Sequence, residues 1–497
     1  MTQPKKQWGA IIIMIALFAM IAFVTNLCSP MAIIVKNDFG ASNVLAQIGN
    51  YGNFIAYLVM GIPAGMLISK YGYKKTALIG LAIGIIGILV QWLSGHVGKE
   101  SAFLVYLVGA FITGLTMCIL NCVVNPMLNL LGGGGNKGNQ LIQLGGVFNS
   151  TAAVACYILM GALIADAAKA HIADATPALM IALAIFVVAF VVILFTKIQE
   201  PEQAPVDVSL IKGALSYRHF ALGALAIFLY MGVEVGTPTY ILQYLTADTP
   251  DIKAKKEMIM KDYASQKITA NEAAVNYVAT TTNINEIRSS NDPQEIKNLD
   301  KQIIETQTKI ENKDITAEKV TDMITGQGMS ASTVGLIVAV YWLMMLIGRF
   351  VGASIGGKVS SRAMITVVAI MTLLLVGFGM FSPETNTIEV PGINWVTLDI
   401  TWQEVPVGIF AFLLVGLCTS VMWGGIFNMA VEGLGKYTAI ASGIFMTMVF
   451  GCAVMVAIQG WVADMTNYMT SYWVVLFCAA YILFYAAIGS KPVKKAK

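Results

Sequence analysis

The sequence is poor in charged residues. Only 12% of its 497 residues are Asp, Glu, Lys or Arg, whereas 57% are hydrophobic and the mean hydropathy is +0.73. Because an ordinary soluble domain carries about 25% charged residues, this composition excludes a soluble globular protein. The net charge of +3 is too small to indicate a nucleic-acid partner. The apolar runs are long and continuous rather than alternating, so the sequence predicts an all-α integral membrane protein in a lipid bilayer.

The sequence also lacks the residue patterns of common catalytic and cofactor sites. Its three histidines lie near the ends of apolar runs and form no zinc, HExxH or catalytic-triad pattern. The stretches GHVGKES and GGGGNKGNQ both differ from the phosphate-binding loop GxxxxGK[ST]. The seven cysteines are an odd set inside apolar runs, which favours packing over disulfides or metal ligation. We therefore expect neither an enzyme nor a bound metal or cofactor.

Twelve apolar runs approach the length of about 20 residues that a membrane-spanning helix needs. The run at 9–35 follows Lys5 and Lys6, as in a signal peptide. It exceeds a signal-peptide core of roughly 7–15 residues and has no clear cleavage site, so we interpret it as the first span. The predicted spans are 9–35, 43–69, 75–97, 102–131, 139–165, 177–197, 217–246, 330–357, 362–382, 405–430, 437–463 and 468–490.

Lysine and arginine are distributed unevenly between the short loops, and this bias predicts the orientation in the membrane. With the N-terminus in the cytoplasm, the short outer loops hold only Lys36, Lys99 and Lys169. An even number of spans then places both termini in the cytoplasm. The basic residues on the predicted cytoplasmic side are Lys5, Lys6, Lys70, Lys74, Lys75, Lys137, Lys197, Lys212, Arg218, Lys358, Arg362, Lys436 and those of the tail KPVKKAK.

The chain divides into two halves of six spans around a proline-containing linker of mixed charge. Glycines four apart end the second span (Gly61, Gly65) and the eighth span (Gly348, Gly352), each pair just before basic residues, and such spacing lets helices approach closely. The predicted units are an N-terminal bundle at 1–198, a cytoplasmic linker at 199–216, the seventh helix at 217–247, an insertion at 248–329, and the remaining C-terminal bundle and tail at 330–497.

A proline interrupts the first and the seventh span at matching positions. Asn26 stands four residues before Pro30, and Glu234 stands four residues before Pro238. Because proline cannot donate to the carbonyl four residues back, both carbonyls lose their helical partner. Interrupted helices in corresponding places of two halves indicate a central binding site. The alternative is an incidental kink in each helix.

The insertion is the one hydrophilic part of the chain and holds 14 of its 28 acidic residues. Behind a start signal at Asp292–Pro293, four apolar residues fall on one helical stripe. The topology predicts an extracytoplasmic position over the mouth of the bundle. Capping, docking of a partner and mere decoration all stay open as roles. The residues of the stripe are Ile296, Leu299, Ile303 and Ile310.

Polar residues inside the spans are the candidate site. Asn121, Asn125 and Asn129 are four apart and share one helical face, which is costly in lipid unless it meets water, a partner or a ligand. Glu234, with Tyr230 one turn before it, is the strongest candidate for a proton relay or ligand acceptor. Buried structural hydrogen bonds are the alternative for all of these residues. Weaker candidates are Asn50, Asn53 and Tyr57 in the second span and Trp423 and Asn428 in the tenth. Asn26 in the first span is a further candidate for substrate contact.

Several motifs resemble the fucose/galactose/glucose:proton symporter family of the major facilitator superfamily. They are NCVVNPMLNLLG at 121–132, FNS at 148–150, YMGVEV at 230–235, GRFVG at 348–352 and IFNMAVEGLGKYT at 426–438. The resemblance implies twelve helices in two six-helix pseudo-repeats, the major facilitator fold, and uptake of a hexose or deoxyhexose by alternating access. By position, Asn149 matches a sugar-contacting asparagine of the family.

Two positions depart from the fucose branch of that family. The branch has acidic residues where this sequence has Ser29 in the first span and Asn121 in the fourth. Since those acids bind the proton and the sugar in that branch, Glu234 is left as the obvious central carboxylate of this sequence. Coupling to a proton, to another ion, or to none stays open.

The sequence therefore predicts a secondary-active sugar transporter of the cytoplasmic membrane. Its substrate would lie between the halves, with Asn26, Asn121, Asn125, Asn149, Tyr230, Trp423 and Asn428 as substrate residues and Glu234 as the ion-coupling residue. One alternative is a facilitator for another neutral or weakly charged solute. Another is a non-transporting sensor or assembly protein that works through the insertion.

Overall fold

A computed structural model describes residues 8–39, 43–163, 176–196, 209–289, 293–329, 331–393 and 400–492. The side chains of 26–53 and 157–163 lie outside this description. The N-terminal half contains α1 (Trp8–Phe39), α2 (Asn43–Ser94), α3 (Lys99–Leu131), α4 (Gly135–Leu163) and α5 (Thr176–Phe195). The linker contains α6 (Ser209–Leu215), and α7 (Arg218–Thr246) opens the C-terminal half. The later membrane helices are α13 (Ala331–Ile355), α14 (Ser361–Phe381), α15 (Val407–Val431), α16 (Thr438–Thr447), α17 (Gly451–Met465) and α18 (Tyr468–Phe484).

Twelve helical segments have the length of a membrane span, as predicted. Ten segments in the described part of the chain are long and apolar enough to cross a membrane. One of them, Phe54–Ser94, holds two spans, because Gly72 adopts φ 83° and ψ 171° and turns the chain within α2. The 29-residue helix α4 is the remaining segment. α16 and α17 together form one span, joined by a 3₁₀ turn at Met448–Phe450.

The two halves repeat one packing order. In the N-terminal half α1 packs on α4, α2 on α3, and α2 on α5. In the C-terminal half α7 packs on α17, α13 on α15, and α14 on α18, which are the corresponding spans. The correspondence is that of a six-helix unit used twice, which supports the predicted pseudo-repeat.

The halves meet at the end of the bundle where Lys74, Lys137, Lys358 and Lys436 lie, here called the basic end. Contacts across the two halves run from α2 to α16 and from α4 to α13. Lys74 at this end donates to the carbonyl oxygens of Leu194 (3.0 Å) and Thr196 (2.7 Å), where α5 ends. A lysine at a helix C-terminus satisfies carbonyls that lack a helical partner and complements the helix dipole.

The contact between α2 and α16 is made by backbone against backbone. A Cβ atom added to Gly443 would lie 2.4 Å from the carbonyl oxygen of Gly61, and one added to Gly65 would lie 2.9 Å from that of Ala439. The prediction of close helix approach at Gly61 and Gly65 is thus confirmed. In the eighth span, Gly348 packs against α15 of its own half, where its added Cβ would lie 2.6 Å from the carbonyl oxygen of Leu417.

The glycine-rich corner between α3 and α4 turns the chain at the basic end. Gly133, Gly134 and Gly135 have φ values of 83°, 70° and 53°, a left-handed run that other residues rarely adopt. The amide of Gly134 donates to the carbonyl oxygen of Asn129 at 2.9 Å. The corner therefore fixes the last turn of α3, which carries the amide face.

The insertion has a hydrophobic core of its own. Its helices are α8 (Pro250–Ala264), α9 (Ala270–Ala279), α10 (Ile284–Ser289), α11 (Pro293–Glu311) and α12 (Ala317–Thr321). Pro293 lies in α11, whereas Asp292 of the predicted start signal lies outside the described residues. Of the predicted stripe, Leu299, Ile303 and Ile310 are buried in this core, with Ile296 half-buried.

Backbone hydrogen bonds hold the insertion to the end of α7. The amides of Gly326, Gln327, Gly328 and Met329 donate to carbonyl oxygens between Tyr244 and Asp248 at 2.7–3.0 Å. The two ends of the insertion therefore lie side by side, and the insertion is attached to the C-terminal half.

An ion pair stabilises the base of the insertion. The ammonium of Lys256 lies 2.7 Å from the carboxylate of Asp248 and 4.8 Å from the ring centroid of Tyr277. Burial, with a smaller contribution from Asp248, raises the pKa of Tyr277 to about 12, so the phenol stays neutral at physiological pH. The aromatic face thus remains available to the cation.

A β-hairpin joins α14 to α15 and was not predicted. β1 (Thr387–Ile393) pairs antiparallel with β2 (Ile400–Pro406), with Ile388 opposite Val405. The alternation of polar and apolar residues in TIEV and TWQEV is the signal that could have indicated it.

The backbone contact of Gly61 and Gly65 in α2 with Ala439 and Gly443 in α16, here called the glycine seam, gives a first prediction. Gly443→Ala places a methyl group against the backbone of α2, and such overpacking costs about 1–3 kcal/mol. We expect the basic end to open more often and labelling of the buried Cys122 thiol by N-ethylmaleimide to rise several-fold, read by peptide mass spectrometry. The matched control is Gly377→Ala in α14, where an added Cβ meets nothing within 4 Å. Equal labelling in both variants would contradict the role of the seam.

Candidate functional site

The amide face of α3 is buried between the two halves. Asn121 donates from Nδ2 to the hydroxyl of Tyr57 at 2.8 Å and to the carbonyl oxygen of Met117 at 3.1 Å. Asn125 donates to the carbonyl oxygen of Asn121 at 3.1 Å and accepts from the indole Nε1 of Trp423 at 3.3 Å. Trp423 belongs to α15, so this bond crosses from one half to the other. The cost of burying these amides is offset by hydrogen bonds, as a polar face inside a membrane requires.

Trp423 also brings an aromatic surface to this amide face. Its ring centroid lies 6.2 Å from that of Tyr230 and 5.7 Å from that of Phe445. Trp423 is half-buried, whereas Tyr230 is fully buried. The structure therefore brings Asn121, Asn125, Tyr230 and Trp423 into one polar and aromatic cluster.

The proline of α3 frees a carbonyl that is satisfied from the opposite half. Pro126 cannot donate to the carbonyl oxygen of Cys122, and the hydroxyl of Ser442 in α16 donates to it instead at 3.1 Å. Ser442 lies beside Gly443 of the glycine seam. Because Pro126 frees the carbonyl oxygen of Cys122, Ser442 can bond to it, and this hydrogen bond strengthens the glycine seam.

The proline of α7 frees a carbonyl that is satisfied within its own half. The carbonyl oxygen of Glu234 has lost its partner to Pro238 and accepts from the hydroxyl of Tyr341 in α13 at 3.0 Å. Tyr341 lies 3.2 Å from the hydroxyl of Thr419 in α15. α7 thus continues through Pro238, and three helices meet at the carbonyl that the proline frees.

The carboxyl group of Glu234 lies beside the hydroxyl of Tyr230 and within electrostatic reach of Arg349. Tyr230 also donates to the carbonyl oxygen of Thr419, at 3.4 Å. Glu234 is half-buried and is the acidic member of the cluster around Tyr230.

Arg349 connects α13 to α4 across the halves. Its guanidinium donates to the carbonyl oxygen of Gly146 at 3.0 Å, to Oδ1 of Asn149 at 3.1 Å and to the hydroxyl of Ser150. Asn149 in turn donates to the carbonyl oxygen of Phe18 in α1 at 2.9 Å. Asn149, which family resemblance selected, therefore lies at a junction of three helices. It lies next to Arg349, which with Glu234 makes up the charged residues of the described cluster.

Asn428 and Asn129 lie apart from this cluster, at the basic end. Asn129 donates to Oδ1 of Asn428 at 2.6 Å, and Asn428 donates to the hydroxyl of Ser361 at 2.9 Å. Both asparagines line a cavity of about 630 Å³ between the halves, together with the glycine corner. Asn428 therefore bonds to Asn129 at this cavity and is not part of the cluster around Trp423.

One predicted site residue cannot be placed and several others were missed. The side chain of Asn26 lies outside the described residues. Sequence reasoning did not select Arg349, Tyr341 or Ser442. A single arginine inside an apolar run was a usable signal for Arg349, by the same logic that selected Glu234. The two hydroxyl groups carried no such signal, since serine and tyrosine are common in membrane helices.

The fold and its spans define a multi-pass membrane protein. The chain matches the model of the Major Facilitator Superfamily over residues 13–250. It is 24% identical over 500 residues to a glucose/galactose transporter of Brucella abortus, covering 99% of this chain and 96% of the relative. It is 23% identical over 266 residues to the L-fucose-proton symporter of Escherichia coli, covering 48% of this chain and 60% of the relative.

A solved structure shows the same fold. The crystal structure of the transporter FucP in the outward conformation superposes with a TM-score of 0.69 at 18% identity, covering 97% of this chain and 98% of FucP. The major facilitator fold predicted from sequence is thereby confirmed. The matches are to transporters rather than to enzymes.

Proposed function

We propose that this transporter takes up a small neutral sugar across the cytoplasmic membrane by alternating access. The observation that carries the proposal is the cluster in which amides of α3 meet Trp423 across the two halves. Sugars present hydroxyl groups that donate and accept hydrogen bonds, and apolar ring faces that stack on aromatic side chains. Amides next to a half-buried indole offer both kinds of contact. The names of the relatives, a glucose/galactose transporter and a fucose-proton symporter, agree with this chemistry.

The closed basic end is the cytoplasmic end in this proposal, with both termini in the cytoplasm. The excess of lysine and arginine there is the reason, because cytoplasmic loops carry such an excess. A bundle closed on its cytoplasmic side receives substrate from outside. The predicted substrate residues Asn121, Asn125, Asn149, Tyr230 and Trp423 would then meet a sugar that enters from the extracytoplasmic side.

Uptake by the purified protein tests the substrate class. In proteoliposomes we expect saturable uptake of a labelled hexose or deoxyhexose. Trp423→Phe removes the hydrogen bond that holds the side chain of Asn125, a loss of about 1 kcal/mol, and we expect roughly a fivefold higher KM. The matched control is Trp473→Phe in α18, where the side chain is 55% exposed on the bundle surface. If no hexose, deoxyhexose or amino sugar shows saturable uptake, the sugar assignment is wrong and another neutral solute must be sought.

The position of Glu234 indicates coupling to an ion, with the proton as the first candidate. Glu234→Gln keeps the shape and the hydrogen-bonding groups but cannot ionise. We therefore expect this variant to lose accumulation driven by a proton gradient while it retains exchange of labelled for unlabelled sugar. Uptake and exchange are measured in the same vesicles with and without the gradient. An equal loss of both activities would exclude a coupling role.

The separate core of the insertion keeps a second function open, that of a sensor or assembly protein. Because Gly326 donates to Asp248 at 2.8 Å, residues 250–323 can be replaced by a short Gly-Ser loop without moving α7 or α13. We expect transport to survive this excision, measured against the unmodified chain for the same sugar. A chain that never transports, but loses a bound protein partner on excision, would favour the second function.

A further inference from the structure

Arg349 is a cation that one half of the transporter inserts into the other. It lies in α13 of the C-terminal half, and all three of its hydrogen-bond acceptors lie in α4 of the N-terminal half. Gly146 makes room for it, because a Cβ atom there would lie 3.3 Å from Cδ of Arg349. The contact lies between helices that must separate if the basic end is to open. It is therefore present in one state of the transport cycle and absent from the other.

The contact decides which way the amide of Asn149 points. A guanidinium can only donate hydrogen bonds, so it selects the amide oxygen of Asn149 and excludes its NH₂ group. The NH₂ group is directed to the carbonyl oxygen of Phe18, which can only accept. Both neighbours thus require the same orientation of the side chain. A neutral partner such as glutamine could accept or donate and would not enforce it.

Among the residues that the structure describes, this orientation leaves one hydrogen-bond donor and one acceptor of Asn149 without a partner. An amide has two N–H donors and two oxygen lone pairs. Phe18 takes one donor and Arg349 takes one acceptor, while the side chain is only half-buried. The remaining pair suits two neighbouring hydroxyl groups of a sugar. An amide free to rotate would offer this pair only part of the time.

We propose that Arg349 is a positioning residue that prepares Asn149 for sugar only while the basic end is closed. When the halves separate there, Arg349 leaves with α13, and Asn149 and Ser150 lose their cation. The sugar is then bound more tightly in the closed state and released more readily in the open one. The inference rests on the proposed sugar transport, since it assigns Asn149 to the substrate.

Sided transport measurements test this role. The KM for labelled sugar is measured in right-side-out and in inside-out vesicles, which sample the two states in turn. We expect the unmodified chain to show the lower KM from the side that is open while the basic end is closed. Arg349→Gln should raise that KM about tenfold, because a charge-assisted hydrogen bond is lost, and leave the KM from the opposite side unchanged. Arg349→Lys should fall in between, since lysine keeps the charge but its flexible side chain does not fix the donor as the planar guanidinium does.

Lys358→Gln is the matched control, because Lys358 is an exposed cation just beyond α13 that makes no hydrogen bond to α4 among the described residues. The ratio of the two KM values should not change in this variant. If Arg349→Gln does not fold, Gly146→Ala displaces Arg349 without removing it and should shift the ratio in the same direction. An unchanged ratio in the arginine and glycine variants, or an equal rise of both KM values, would overturn the inference alone. Absence of saturable sugar uptake by the unmodified chain would instead overturn the proposed function.

Discussion

A backbone carbonyl that loses its helical partner inside a bilayer must find another donor, and the centre of this transporter is arranged around that requirement. Pro126 and Pro238 each release one carbonyl, and a hydroxyl group from a neighbouring helix bonds to each of them. Ser442 supplies the first from the opposite half, and Tyr341 supplies the second from the same half. The prolines therefore specify which helices must approach, as well as where the helices bend.

The two repaired carbonyls differ in a way that fits a moving protein. The bond from Tyr341 stays within one half and can persist through the transport cycle. The bond from Ser442 joins the halves and must break when the basic end opens. In both places a proline frees a carbonyl and a hydroxyl group bonds to it. The bond from Tyr341 contributes to a rigid unit, and the bond from Ser442 is a reversible contact. The polar cluster lies between them, so its two walls belong to parts that move relative to each other.

Much of this arrangement could be predicted from the sequence. Hydrophobic runs predicted the spans, because a bilayer imposes a length and forbids charge over it. Four-residue spacing predicted the amide face of α3 and the stripe of α11, because it reports which residues share a face. Spacing does not report which helix that face meets. Asn149 and Arg349 are 200 positions apart, and only the packing of α4 on α13 brings them together. For the same reason Asn428 was grouped with Trp423 on α15, although it lies towards the basic end with Asn129.

The backbone contact at Gly61 and Gly443 has a consequence for the energetics of gating. Attraction between touching atoms falls by a quarter to a half over a gap of about 0.5–1 Å, whereas attraction between exposed charges extends over roughly 8–10 Å in physiological salt. A gate closed by glycine contacts therefore loses this attraction as soon as the helices begin to separate. A partly open gate is not stabilised by it. The contribution of these glycine contacts to the closing free energy is also nearly independent of ionic strength. Such a gate has two stable states, closed and open, and does not populate intermediate angles between the helices.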